Sequence, residues 1–289
     1  MGNTRKRLLL GIYIVAAAVL FTYYLFPSDT VKGYIAYQLN ATDPSLTVDI
    51  ARVKPSFPPG LKLHTVQLAC TGIELVEVQQ LIVRPVYASL LGPEKTYRFK
   101  GKLYAGTVKG SLHLNQGQKT GAMRIDARVE GLEIEQIRMI EEMSGRKVFG
   151  MLAGDIQVRC QNPSSLEATA NLELSDGKVE LLMPVFNYKN LAFTSVKADL
   201  VITQQNLTIS RCEIKGQPAD GDFSGTIDFR KPLGKSMIGL EGTVNPHPAL
   251  LALLRKTLPA SLVPQTGAGD DGIGISLSGT LDSPGFAFQ

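Results

Sequence analysis

The sequence predicts a mainly β fold with a few helices (α+β): an N-terminal transmembrane helix, then a curved antiparallel sheet with an apolar groove open on one face. Three observations carry that expectation. Segments from about residue 47 to 281 alternate apolar and polar residues with period two, the pattern of strands with one dry and one wet face. In Asp222–Val244, Phe223, Gly225, Ile227 and Phe229 share a face, and Ile238, Leu240, Gly242 and Val244 repeat the pattern after a loop at Arg230–Ser236. Glycine recurs on the apolar face of several such segments, where it marks a bend, a bulge or a close approach. Finally, a single long apolar run occurs, at the N-terminus.

That run extends from Leu8 to Phe26 behind Arg5, Lys6 and Arg7. About 19 helical residues span roughly 28 Å, close to the hydrocarbon thickness of a bilayer. Leu8, Leu9, Leu10, Ile12, Ile14, Val15, Val19, Leu20, Phe21, Leu25 and Phe26 form the expected anchor, with Tyr23 and Tyr24 at interface depth. The basic residues place the N-terminus in the cytoplasm and the rest of the chain across the membrane. The rival reading is a cleaved signal peptide with Ala16–Ala18 as its small-residue site. The run stays apolar beyond those alanines, which favours a retained anchor. Three regions follow: residues 1–27 as cytoplasmic stub and anchor, 28–148 as an N-terminal β-rich half with helices, and 149–289 as a C-terminal β half.

After the anchor, Ser28 caps an expected helix to about Leu39, with Val31, Ile35 and Leu39 on one stripe. Residues 46–83 read as strands broken by the rigid turn Pro55–Gly60. Pro85–Leu91 reads as a short helix ended by Gly92, Tyr97–Leu114 as a hairpin, and Ala122–Val129 as a strand. Glu133–Ser144 carries Ile134, Ile137, Ile140 and Met143 at helical spacing, predicting an amphipathic helix against the sheet. Phe149–Val244 is nearly all strand, with turns expected at Asp176-Gly177 and Asp220-Gly221. Asn245-Pro246 opens a leucine-rich helix, and a final strand follows the glycine-rich segment Gly267–Gly272.

Composition narrows the function. Of 289 residues, 44% are apolar and 19% charged, so most of the chain should fold. The net charge of +4 lies partly in the N-terminal tail, leaving a near-neutral body without an arginine-rich patch. Nucleic acid is therefore not an expected partner. Cys70, Cys160 and Cys212 fit no zinc spacing, and small buried residues are the expectation for each, ahead of a disulfide between any two of them. His64, His113 and His247 stand far apart without carboxylates at ligand spacing. Asp270-Asp271 lacks the further oxygens that a calcium loop requires. No hydrolase, phosphate-binding, metalloprotease or dinucleotide motif occurs. The expectation is a non-enzyme with no catalytic residue, metal or cofactor.

Several features together resemble two overlapping groups, the AsmA-like bacterial envelope proteins and the single-anchor form of the type II secretion system protein N family. They are the basic-plus-apolar anchor with its following helix, the segment Phe57–Leu63 leading to Val66 and Leu68, the strand unit Ala198–Val244, the helix Pro248–Leu254, and the ending Ser278–Pro284. The resemblance implies a protein of the bacterial inner membrane with most of its chain in the periplasm, accessory to type II protein secretion and partnered by other envelope components of that machinery. The AsmA-like kinship implies a curled sheet with an apolar groove, hence the alternative of a phospholipid-binding or lipid-transfer module.

The groove expectation falls on Phe223, Gly225, Ile227, Phe229, Ile238, Leu240, Gly242 and Val244. A carrier needs room along its floor, which Gly110, Gly154, Gly225, Gly242 and Gly279 would supply. On that reading, Gly225→Leu or Gly242→Leu should leave the chain folded.

Overall fold

The computed structural model describes residues 23–42, 46–70, 73–115, 122–137, 140–141, 145–160, 166–185, 188–257 and 272–288, and before them residues 6, 9–11, 13–14, 17 and 20–21. Among these residues, fourteen strands follow one another. They are β1 (Leu46–Ser56), β2 (Gly60–Cys70), β3 (Ile73–Pro85), β4 (Glu94–Leu103), β5 (Gly106–Asn115), β6 (Met123–Glu133) and β7 (Val148–Cys160). The series continues with β8 (Leu166–Val185), β9 (Tyr188–Thr203), β10 (Asn206–Gly216), β11 (Ala219–Asp228), β12 (Met237–Pro246), β13 (Ile273–Thr280) and β14 (Pro284–Phe288). They make one antiparallel sheet in chain order, each strand bonded to its sequence neighbours. β1 and β14 do not meet, so the sheet is open. The boundary expected at 148–149 coincides with the start of β7, and the sheet continues across it.

Helices are few. α1 (Ser28–Thr42) starts at its expected cap. α2 (Pro248–Thr257) starts later than expected: Asn245 and Pro246 do not open it but pair with Asp220 and Ala219 as the end of β12, and the Leu251 N–H donates to the His247 carbonyl. Short 3-10 helices occupy Tyr87–Leu91, Ile134–Gln136 and Leu233–Lys235. The last lies in the 229–236 loop expected between β11 and β12.

Several further local expectations need correction. Glu133–Ser144 does not begin as an α-helix. Glu133 ends β6, and Ile134–Gln136 forms a 3-10 turn closed by the Ile137 N–H donating to the Ile134 carbonyl at 2.9 Å. Side chains at i and i+3 eclipse in a 3-10 turn, so Ile134 and Ile137 are both buried without an α-helical face. Met143 lies outside the described residues. Asp176-Gly177 is a bulge within β8 rather than a turn. Asp176 has a φ of +52°, and the β7–β8 register shifts opposite it. Asp220-Gly221 belongs to β11, and the chain reverses at Gln217-Pro218 instead. Asp220 acts on that reversal from inside the strand, its carboxylate accepting from the Gly216 N–H at 3.0 Å. Pro85 likewise ends β3, one residue short of the 3-10 helix it was expected to start.

The core is concentrated in the N-terminal half. Ile50, Val53, Leu63, Val66 and Val78 form one buried cluster, capped by Phe26 and by Val31 and Ile35 of α1. Thr65, with a φ of +48°, lies where the apolar positions step by three residues, from Leu63 to Val66, opposite the same step from Ile50 to Val53. A second cluster joins Val129, Leu132 and Ile137, with Ile140 packed against it. Among the described residues, nine buried hydrophobic residues precede residue 140, and only Ala170 and Ile238 follow it.

The described positions between 6 and 24 are helical. Leu9, Leu10, Ile14, Leu20 and Phe21 are exposed there, as is Leu25 just beyond, while Phe26 packs on the first cluster. Leu8, Ile12, Val15 and Val19 lie outside the described residues. Among the described residues, no helix is long and apolar enough to cross a membrane.

Candidate functional site: an uncovered apolar face

Because side chains alternate along a strand, register decides what each face of the sheet presents. One cross-strand row can be followed through every strand. It runs Pro55, Leu61, Val83, Phe99, Gly110, Ala127, Ile156, and then Ala170, Leu200, Ile209, Gly225, Leu240, Leu277, Phe286. No member is polar. The row beside it, from Val53 and Leu63 to Gly242 and Ile275, is apolar in the same way. At roughly 4.8 Å per strand, fourteen strands carry this stripe over about 60 Å.

Among the described residues, only part of the stripe is covered. α1 lies over β1–β3, and the segment around Ile137 and Ile140 lies over β5–β7. From β8 onward the apolar residues are mostly half-buried and join neither cluster. Two sheets packed face to face would bury such residues as a core. A single layer leaves them open.

The groove residues named from sequence come together here. Ile227 pairs with Ile238, Gly225 with Leu240, Phe223 with Gly242, and Val244 with Gly221. Phe229 lies just past β11, its N–H donating to the Gln205 carbonyl at 2.7 Å. Ile238 is 8% exposed, whereas Phe223, Ile227, Phe229, Leu240 and Val244 are half-buried. Ser236 is fully buried at this end, and its hydroxyl accepts from the Arg230 N–H at 3.0 Å.

No family model, curated protein or solved structure matches the chain.

The glycines do not supply room. A Cβ on Gly225 would collide with the Gly239 carbonyl oxygen, and the φ of +144° is one that other residues rarely adopt. A Cβ on Gly242 would strike the Asp222 carbonyl oxygen and the Phe223 ring, which lies over the glycine from the next strand. Gly110, Gly154 and Gly279 are likewise approached by backbone. These glycines admit a neighbouring strand or ring, so the expected tolerance of Gly225→Leu and Gly242→Leu is overturned.

Cys212 sits on the apolar face between Ala198 and Phe223, where burial, with a smaller contribution from Asp222, pushes its thiol above the usual range. Cys212 is a free thiol. The Cys70 side chain lies outside the described residues.

The polar face holds one network that the sequence did not reveal. The Ser111 hydroxyl lies 3.0 Å from His113 Nε2, and Glu94 Oε1 lies 2.9 Å from His113 Nδ1. These are the contacts of a hydroxyl, a base and an orienting acid. Thr96 Oγ1 also approaches Nδ1, and Asp126 stands 3.8 Å from Nε2. The surrounding strands are paired on both sides, so their backbone N–H groups are spent in the ladders. A strand-face hydrogen-bond network accounts for the geometry. Among the described residues, no group of three or more His, Cys, Asp or Glu could hold a metal ion. His247 bonds the Gln217 carbonyl and faces Asp220 at 3.4 Å, which ties the start of α2 to the β10–β11 reversal.

Proposed function

We propose that the chain is a membrane-anchored envelope protein that binds lipid acyl chains on the uncovered apolar face of β8–β14. The observation that carries this reading is the unbroken apolar row through all fourteen strands, uncovered over its second half. Burying an acyl chain is worth roughly 0.8 kcal/mol per methylene, so a sixteen-carbon chain needs about 12 kcal/mol of apolar contact to leave a bilayer without loss. A long continuous stripe supplies that contact, where an isolated pocket would not. The N-terminal apolar run serves as the anchor, with the sheet in the periplasm of a bacterial cell.

The test is lipid analysis of the full chain purified from membranes. Phospholipid should co-purify in a fixed ratio, and a Leu240→Gln, Leu277→Gln variant with an unchanged melting curve should lose most of it. Parent protein free of lipid would sink the reading.

A second reading has its own support: a non-enzymatic component of type II protein secretion. β14 is the last strand of the sheet, and Phe286 on it is 73% exposed. An edge of that kind accepts a strand from a partner. Deleting the gene should then reduce secreted enzymes in the medium while the rest of the machinery is expressed normally.

A further inference from the structure

Charge is unevenly distributed over the polar face. From β6 to β10 most of the cations have acidic partners: Arg128 Nε lies 2.7 Å from Asp155, and Lys197 lies 3.6 Å from Glu173. From β1 to β5 most do not. One cross-strand row there reads Lys54, Lys62, Ile82, Lys100, Lys109, and leads on to Arg128. Arg84 stands directly opposite Arg98 on one side of it, and Arg52 and Lys102 flank it on the other. Lys109 reaches Glu130 at 2.7 Å and Arg128 reaches Asp155, but Arg52, Lys54, Lys62, Arg84, Arg98, Lys100 and Lys102 form no ion pair with a described residue. Like charges placed directly across a strand pair destabilise a sheet. Lys54–Lys62, Lys100–Lys109 and Arg84–Arg98 are three such pairs. His64, beside Lys62 in β2, has a lowered pKa, chiefly through burial and then through Lys62, Lys54 and Arg52. The field is therefore felt locally.

We infer that the polar face of β1–β5 docks on the anionic headgroups of the bilayer. Two features select that occupant. The cations are spread over five neighbouring strands, most of them without an ion-pair partner, which suits a sheet of mobile negative charge. It also belongs to the strands nearest the N-terminal helix, since α1 follows that helix directly and packs on β1–β3. The inference rests on the anchored reading for where the bilayer lies. Its consequence is that the first strands lie on the membrane, while the uncovered apolar face of β8–β14 begins further along the sheet.

The experiment uses the full chain reconstituted into nanodiscs of zwitterionic lipid, or of the same lipid with an anionic phospholipid added. Lysines are labelled with an amine reagent and read by mass spectrometry. In anionic discs, Lys54, Lys62, Lys100 and Lys102 should label at least about threefold more slowly than in neutral discs, and about 0.5 M salt should erase the difference. Lys197 and Lys215, each beside a glutamate, should label alike in both. A Lys62→Glu, Lys100→Glu variant should lose the protection and keep the fold, because each change relieves a like-charge pair. Equal labelling in the two discs overturns the inference, as does protection that survives the double variant. Protection by duplex DNA but not by anionic discs would overturn it too. Failure of the anchor is seen separately, as failure of the full chain to float with neutral vesicles.

Discussion

At Gly225 a hydrogen atom occupies the place where any other residue would put a Cβ against the Gly239 carbonyl. Gly225→Leu should therefore destabilise the chain by about 1–3 kcal/mol or more, the usual range for overpacking. A drop in melting temperature of several degrees is the expected reading, and an unchanged melt would show that β11 and β12 can separate without loss. His64 makes a different prediction at the same scale. Its pKa is lowered in the folded chain, so between that value and the unfolded value near 6.5 the unfolded chain binds more protons. Stability must then rise with pH through this window and fall as the pH drops through it. Melting curves recorded from about pH 7.5 down to 5 should show the loss, and His64→Gln should remove that part of it. Arg128, Asp155 and Glu130 also have shifted values, set first by their direct hydrogen bonds. The two pairings involved, Arg128–Asp155 and Lys109–Glu130, are solvent-exposed, and little stability is expected from them.

Elements differ in how far the sequence disclosed them. The strands were legible because Phe223, Ile227 and Leu240 alternate with polar residues, and period two has one simple structural meaning. Ile134 and Ile137 were misread because their spacing fits a 3-10 turn as well as an α-helix, whereas Ile140 is helical as expected. Asp176 and Asp220 resemble turn residues, yet one sits in a bulge and the other bonds back to a turn four residues earlier. Phe223, Ile227, Ile238 and Leu240 share a face as their alternation predicts, but the role of the glycines among them was inverted, because alternation reports the face and not what approaches it. The basic row escaped notice altogether. Lys54, Lys62, Lys100 and Lys109 are scattered through the chain and become neighbours only through register. At this scale the α1 contact can be probed. Ile50 is fully buried beneath α1, so Ile50→Ala should cost about 2–5 kcal/mol, with the melt as readout.

The whole sheet is close to one-dimensional. Every strand bonds only to the strands before and after it in the chain, so most stabilising contacts are local, as in repeat proteins. The two buried clusters hold the first seven strands, whereas β8–β14 rely mainly on ladders and a half-covered apolar face. Opening should then proceed in parts, from the C-terminal side, with each part defined by its own neighbours. Two lesions separate this from all-or-none unfolding. Gly225→Leu strikes the β11–β12 pairing, and Ile50→Ala strikes the first cluster. In hydrogen-exchange mass spectrometry, Gly225→Leu should speed exchange in β10–β14 and leave β1–β6 near parent values. Ile50→Ala should speed exchange in β1–β4 with little effect beyond β8. If either variant raises exchange evenly across all fourteen strands, the sheet unfolds as one cooperative unit. A lipid seated on β8–β14 adds a sign to the same measurement. It should slow exchange in those strands and leave the first cluster unchanged, because a ligand stabilises the part that it binds.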